Sequence, residues 1–154
     1  MRTGSLFIIL VCLIWAGMVA AISFLEAPVK FTAPSLTLRV GLDVGRHVFA
    51  AFNKVELVWA GLLLILFFIG KLNTLIRIFL LGLFAIMALE HVWLLPVLDQ
   101  RALIIVEGGW PQGTSPHKWY IIFEIAKFIL LVTTAITLLT RFANTTNRST
   151  TLTA

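Results

Sequence analysis

Charge is scarce in this sequence. Asp, Glu, Lys and Arg make up 12% of its 154 residues, whereas 60% are hydrophobic. A water-soluble domain of this length needs more charge than that to cover its surface. Cysteine is scarcer still. The lone Cys12 lies inside an apolar run, which excludes an internal disulfide and reads as a small buried hydrophobe. No Cys/His zinc spacing, phosphate-binding glycine loop or nucleophile elbow occurs. The apolar runs are continuous and not alternating, which disfavours a β-barrel. The formal charge is +5, with a pI near 10.0. In a soluble chain that balance would raise nucleic acid as a partner. Here the basic residues flank apolar spans, so membrane lipids with anionic headgroups supply the counter-charge and no nucleic-acid partner is expected.

What the chain does have is long apolar stretches. A helix needs about 20 such residues to cross the hydrocarbon of a bilayer. Residues 5–25 meet this with no charge at all, and further spans are predicted over 48–70, 74–98 and 119–140. Arg2 and the small Val19-Ala20-Ala21 would suit a cleaved signal peptide. The apolar run outlasts a typical signal core, however, so it is kept as a span. The expected fold class is all-α: a four-transmembrane-helix bundle over residues 1–142, followed by a disordered cytoplasmic tail over 143–154, rich in Thr and Asn.

Punctuation places the ends. Pro28 and Pro34 bound the first helix. Gly70 and Asn73 make a tight turn, so spans two and three are antiparallel neighbours. Pro96 ends or kinks the third span, and residues 108–113 are turn chemistry. Trp93, Trp110 and Trp119 fall near one interface, as an aromatic belt does. Between residues 26 and 48 a short interfacial helix is predicted before the second span, with a break at Gly41 and Gly45.

Threading the chain back and forth four times puts all seven carboxylates and all three histidines on one side. The opposite side carries Arg2, Lys71, Arg77, Arg141 and Arg148 on short segments without acids. Basic density on short segments predicts both termini in the cytoplasm.

Three spans also contain ionisable residues at similar depth. Glu56 lies about two turns into the second span, Glu90 and His91 about two turns from the end of the third, and Glu124 and Lys127 about two turns into the fourth. A charge in the hydrocarbon costs about 2.5–3.5 kcal/mol on insertion scales, so these groups are expected to face inward and pair. Lys127 pairs with Glu124 three residues before it, and Tyr120 donates to Glu124 from one turn earlier. One lysine cannot balance three glutamates. Two carboxylates are protonated, or His91 is, or Arg46 dips in, or a cation binds. Arg46, Phe49, Asn53 and Glu56 share one helix face. The candidate ligand-binding set is therefore Glu56, Glu90, His91, Glu124, Lys127, Tyr120, Asn53 and Arg46. Glu56, Glu90, His91 and Glu124 are candidate metal ligands, although Glu90 and His91 point about 100° apart on a helix. His47, His91 and His117 are the residues that could serve a haem. No catalytic residue is assigned, and the sequence names no cofactor.

The order of features resembles an uncharacterised family of small four-helix bacterial membrane proteins, related to a eukaryotic transmembrane protein linked with platinum-drug resistance. The residues that carry the resemblance are Trp15-Ala16-Gly17, Phe24 through Ala27-Pro28-Val29-Lys30-Phe31, Val44-Gly45-Arg46, Phe49 through Phe52, and Leu95-Pro96-Val97-Leu98-Asp99-Gln100-Arg101. The resemblance implies a four-helix bundle and no established chemistry.

Three functions stay open. The polar cluster holds a proton, cation or small polar ligand in a binding or transport-accessory role. Alternatively, the chain is a non-catalytic accessory subunit of a larger membrane complex, or self-associates through the small-residue stripe Gly82, Ala85 and Ala88. A haem- or quinone-linked membrane redox enzyme is the third. The same cluster also reads as a structural network that sets helix register.

Overall fold

The computed structural model describes residues 3–151, and side chains over 4–144. Among the described residues there are helices and turns and no strand. The first span is built from α1 (Thr3–Val19), a π-helical segment (Ala20–Glu26) and the short α2 (Ala27–Lys30). The second is α3 (Leu38–Ile69). The third runs through α4 (Thr74–Leu89), a second π segment (Glu90–Leu94) and α5 (Leu95–Val106). The fourth is α6 (His117–Thr151). Four stretches, Gly4–Lys30, Leu38–Ile69, Thr74–Val106 and His117–Asn144, are long and apolar enough to cross a membrane.

The helix ends have local causes. Thr37 accepts from the Val40 N–H at the start of α3, and Asn73 accepts from the Ile76 N–H at 2.9 Å to start α4. At Gly70 an added Cβ would collide with the Leu66 carbonyl, so only glycine makes this turn. The loop after α5 uses Gly108 at φ 94° and Gly113 at φ 76°. Arg101 ties it down by donating to the Gln112 carbonyl at 2.7 Å and the Gly113 carbonyl at 3.0 Å.

Both π segments stand just before a proline, Pro28 and Pro96. Proline has no N–H and its ring crowds the carbonyl four residues back. The wider turn relieves that: the Ala27 N–H reaches Ile22 O, and the Leu95 N–H reaches Glu90 O, each five residues back. Pro96 therefore neither ends the third span nor breaks it, and the helix continues to Val106.

Two boundaries differ from the sequence reading. No break separates an interfacial helix from the second span; that segment is the first turns of an uninterrupted α3. Gly41 and Gly45 are close-approach points instead. A Cβ on Gly41 would sit 2.5 Å from the Phe31 ring, and one on Gly45 would sit 3.0 Å from Lys30 Nζ. The helical backbone also runs past residue 142 to Thr151, because no glycine or proline follows Pro116 to stop it. The rest of the expected tail, Arg2 and the Arg148 side chain lie outside the described residues.

α1 packs on α6 and α3, α4 on α6, and α3 on α4 and α5. The core between them is Ile8, Val11, Cys12, Trp15, Leu63, Leu80, Leu83 and Leu131. The outer surface is just as apolar: Val58, Ile65, Phe68 and Val92 are exposed. Water would penalise such a surface heavily, whereas lipid chains solvate it. Trp93, Trp110 and Trp119 are exposed at the end of the bundle that carries the acids.

Candidate functional site

The core contains only a few polar side chains. Among the described residues, Glu56, Glu90, Glu124, Lys127 and Thr134 are buried. The Thr134 hydroxyl is spent on its own helix, donating to the Leu130 carbonyl at 2.6 Å. The other four form one cluster. Lys127 is wholly inaccessible, and its ammonium lies 2.8 Å from Glu56 Oε1, 2.7 Å from Glu90 Oε2 and 2.6 Å from Glu124 Oε1. An ammonium carries three protons, so each donates to a carboxylate on a different element: α3, the second π segment and α6.

Two residues of the first span complete the shell. The Trp15 indole donates to Glu56 Oε1 at 2.9 Å, and the Ser23 hydroxyl donates to Glu124 Oε2 at 2.7 Å. Sequence reasoning missed both, although a signal existed. Residues 5–25 carry no charge, so the few side chains there with an N–H or O–H must find partners once buried. Glu90 Oε1 is buried and has no partner.

The cluster is unbalanced. Three carboxylates surround one ammonium, which leaves two negative charges if all three are ionised. Among the described residues no further cation lies within ion-pair distance of the three carboxylates. Arg46, expected to dip in, instead grips Asp99 through Nε at 2.7 Å and Nη2 at 3.1 Å. The bidentate fork matches a carboxylate nearer the surface, so there is no drive to bury the guanidinium. His91 also stands outside: its Nδ1 is 3.0 Å from Asn53 Nδ2 and its side is exposed. Adjacent residues on one helix cannot both point to one centre, so burying Glu90 turns His91 away. Tyr120 does not donate to Glu124 directly. Its hydroxyl lies 3.4 Å from Ser23 Oγ, and Ser23 makes the short bond to the carboxylate.

For a metal, the convergent set is Glu56, Glu90 and Glu124, with one oxygen of each within 4.8 Å of the others. His91 is not in it. The Lys127 ammonium stands where an ion would be held, so a resident positive charge already occupies the centre. Of the histidines considered as haem ligands, the His47 side chain is 78% exposed, and His91 and His117 line a cleft wall.

That cleft is the second part of the site. About 740 Å³ in volume, it lies between the end of the first span, the first half of α3, the start of α5 and the first turns of α6. Glu124, Ser23 and Tyr120 form its foot, with Asn53 and His91 on the walls beside them. Lys30, Arg46, Asp99 and His117 mark the mouth, and most of the remaining lining is apolar. The size and lining are those of a small-molecule site. On the other side of the cluster, Leu63, Ile76, Leu80, Leu83, Leu131 and Ala135 are buried and close-packed, so the foot opens toward one end of the bundle.

Among known proteins, the chain matches no family model, no curated protein and no solved structure.

Proposed function

We propose that this integral membrane protein has a binding or transport-accessory role, and that its carboxylate–lysine cluster takes up a proton, a cation or a small polar ligand from the cleft. One observation carries the reading: Glu124, one of three buried carboxylates that share a single ammonium, lines the foot of a cleft large enough for a ligand. A purely structural network would be expected to balance its charges, because each uncompensated one costs several kcal/mol on the order given by burial of ions. The unpartnered Glu90 Oε1 supports the same reading. We place the cleft on the non-cytoplasmic side of a bacterial inner membrane, with both termini in the cytoplasm, on the strength of the basic short segments. The family resemblance drawn from the sequence adds no chemistry to this reading.

The test is infrared spectroscopy of the full chain in detergent. The C=O band of protonated carboxyl groups should change with pH or added cation in the wild type. It should shrink in folded Glu90→Gln and Glu124→Gln variants. A band that ignores pH and cations throughout would mean that the cluster only fixes helix register.

A second reading has one observation in its favour. Gly82 packs on Leu130 of α6, as an intramolecular contact, but Ala85 and Ala88 are exposed on the same stripe. They leave a shallow helix face on which a partner subunit or a second copy could pack. Stoichiometric co-purification would support the accessory-subunit role, and a chain that stays alone in mild detergent would count against it.

A further inference from the structure

The lining of the cleft narrows the choice of ligand. Its walls are apolar and aromatic, with Phe24, Leu42, Phe49, Leu95 and Ile121 among them. At the mouth each cation has an acidic partner. Lys30 Nζ lies 3.3 Å from Glu26, and Arg46 holds Asp99 with Asp43 at 4.0 Å. At the foot Glu124 lines the cleft, and behind it Glu56 and Glu90 share with it the single ammonium of Lys127. The other titratable groups facing the cleft are Tyr120, His91 and His117, and one ring nitrogen of His91 is taken by Asn53. Once more than one of the three carboxylates is ionised, net negative charge therefore lies at the deep end of the cleft.

Each class of ligand meets these walls differently. An anion would face surplus carboxylates in a low-dielectric surrounding. A hydrated inorganic cation would shed water against hydrocarbon. A cation carried on an apolar body satisfies both the foot and the walls. The rings already accept positive charge: Lys30 Nζ lies 5.5 Å from the centroid of Phe49 and 5.6 Å from that of Phe31. Asn53 Oδ1, buried and without a partner, adds an acceptor on the wall.

Resting on the function proposed above, we infer that the cleft binds a lipophilic organic cation, of the hydrophobic ammonium or phosphonium class, and that this cation and protons compete for the same carboxylates. When the cation enters, a carboxylic acid of the cluster releases its proton to water at the mouth. When protons return, the cation is expelled the way it came.

Tetraphenylphosphonium titrated into the full chain in detergent tests this. Binding should saturate, release protons into weakly buffered medium, and weaken by about tenfold per pH unit on acidification where one proton exchanges for one cation. Tetraphenylborate, of the same shape and opposite charge, and the neutral triphenylphosphine oxide should bind at least about tenfold more weakly, since charge is the discriminating element. Glu124→Gln should weaken phosphonium binding by about tenfold or more. Ala50→Trp fills the cleft wall while keeping every charged group, so it should also abolish binding, and it serves if the first variant does not fold. Equal binding of the borate or the oxide, or undiminished binding in Ala50→Trp, would overturn the inference. If the phosphonium does not bind while the carboxyl infrared band still answers to pH, this inference fails and the proposed function stands. If both fail, both readings are gone.

Discussion

Replacing Lys127 by methionine keeps the length of the side chain and removes its charge. In the folded chain that charge holds three carboxylates at 2.6–2.8 Å, with no exposure to solvent. Taking away one partner of a buried ion pair costs about 3–5 kcal/mol, because the remaining charge is left uncompensated. Lys127→Met should therefore lose about that much stability, a large share of a typical total of about 5–15 kcal/mol. Glu90→Gln should cost far less, about 1 kcal/mol, since its amide oxygen still accepts from Nζ and one surplus negative charge is gone. Lys127 is the one polar partner of Glu90 among the described residues, so the two variants form a clean cycle. With Lys127 already removed, Glu90→Gln deletes an unpaired charge. The double variant should then be more stable than Lys127→Met alone, with a coupling of about 2–3 kcal/mol. Reversible unfolding in mixed detergent–SDS micelles, followed by helix circular dichroism, measures all four species. If the double variant loses the sum of the two single losses, the central ion cluster does not exist as described.

Three further outcomes follow from the geometry. Ser23→Ala removes the donor to Glu124 Oε2 and should cost about 1–3 kcal/mol in the same unfolding assay, whereas Tyr120→Phe, which gives up only a 3.4 Å contact, should cost less than about 1; a larger loss in Tyr120→Phe would reverse the assigned roles. Gly41→Ala drives a Cβ into the Phe31 ring and should destabilise by about 1–3 kcal/mol, while Gly45→Ala meets only the movable end of Lys30 and should be close to neutral; equal effects would remove the close approach as the reason for Gly41. Lys127→Ala empties the centre of three convergent carboxylates, so Mn²⁺ should raise its thermal stability, by about 2.7 kcal/mol at a hundredfold excess over the dissociation constant. The wild type, whose centre holds an ammonium, should not respond. A Lys127→Ala protein indifferent to Mn²⁺ would show that the carboxylates spread apart without the lysine.

Much of the fold was legible because a bilayer imposes simple rules. Length and apolarity alone marked four spans, and Gly70 and Asn73 marked the turn that makes α3 and α4 neighbours. The depth of Glu56, Glu90, Glu124 and Lys127 followed from counting turns, and the cost of burying charge predicted that they would meet. Boundaries were harder to read. Pro96 was read as a stop or a kink, but the helix runs on through a wider π turn, and Gly41 and Gly45 of α3 mark contacts and not a break.

The sequence by itself determined that this chain has four membrane-length helices with their carboxylates and histidines gathered toward one end. Hydrophobic length and residue spacing are local properties, and they need no knowledge of neighbours. Only the tertiary structure decided who meets whom. Helix rotation about its own axis puts Glu90 inward and His91 outward, brings Trp15 and Ser23 of the first span onto two of the carboxylates, and leaves Arg46 with Asp99 at the mouth of a cleft. Rotation depends on side chains packing across helices that are distant in the chain, so no local pattern records it.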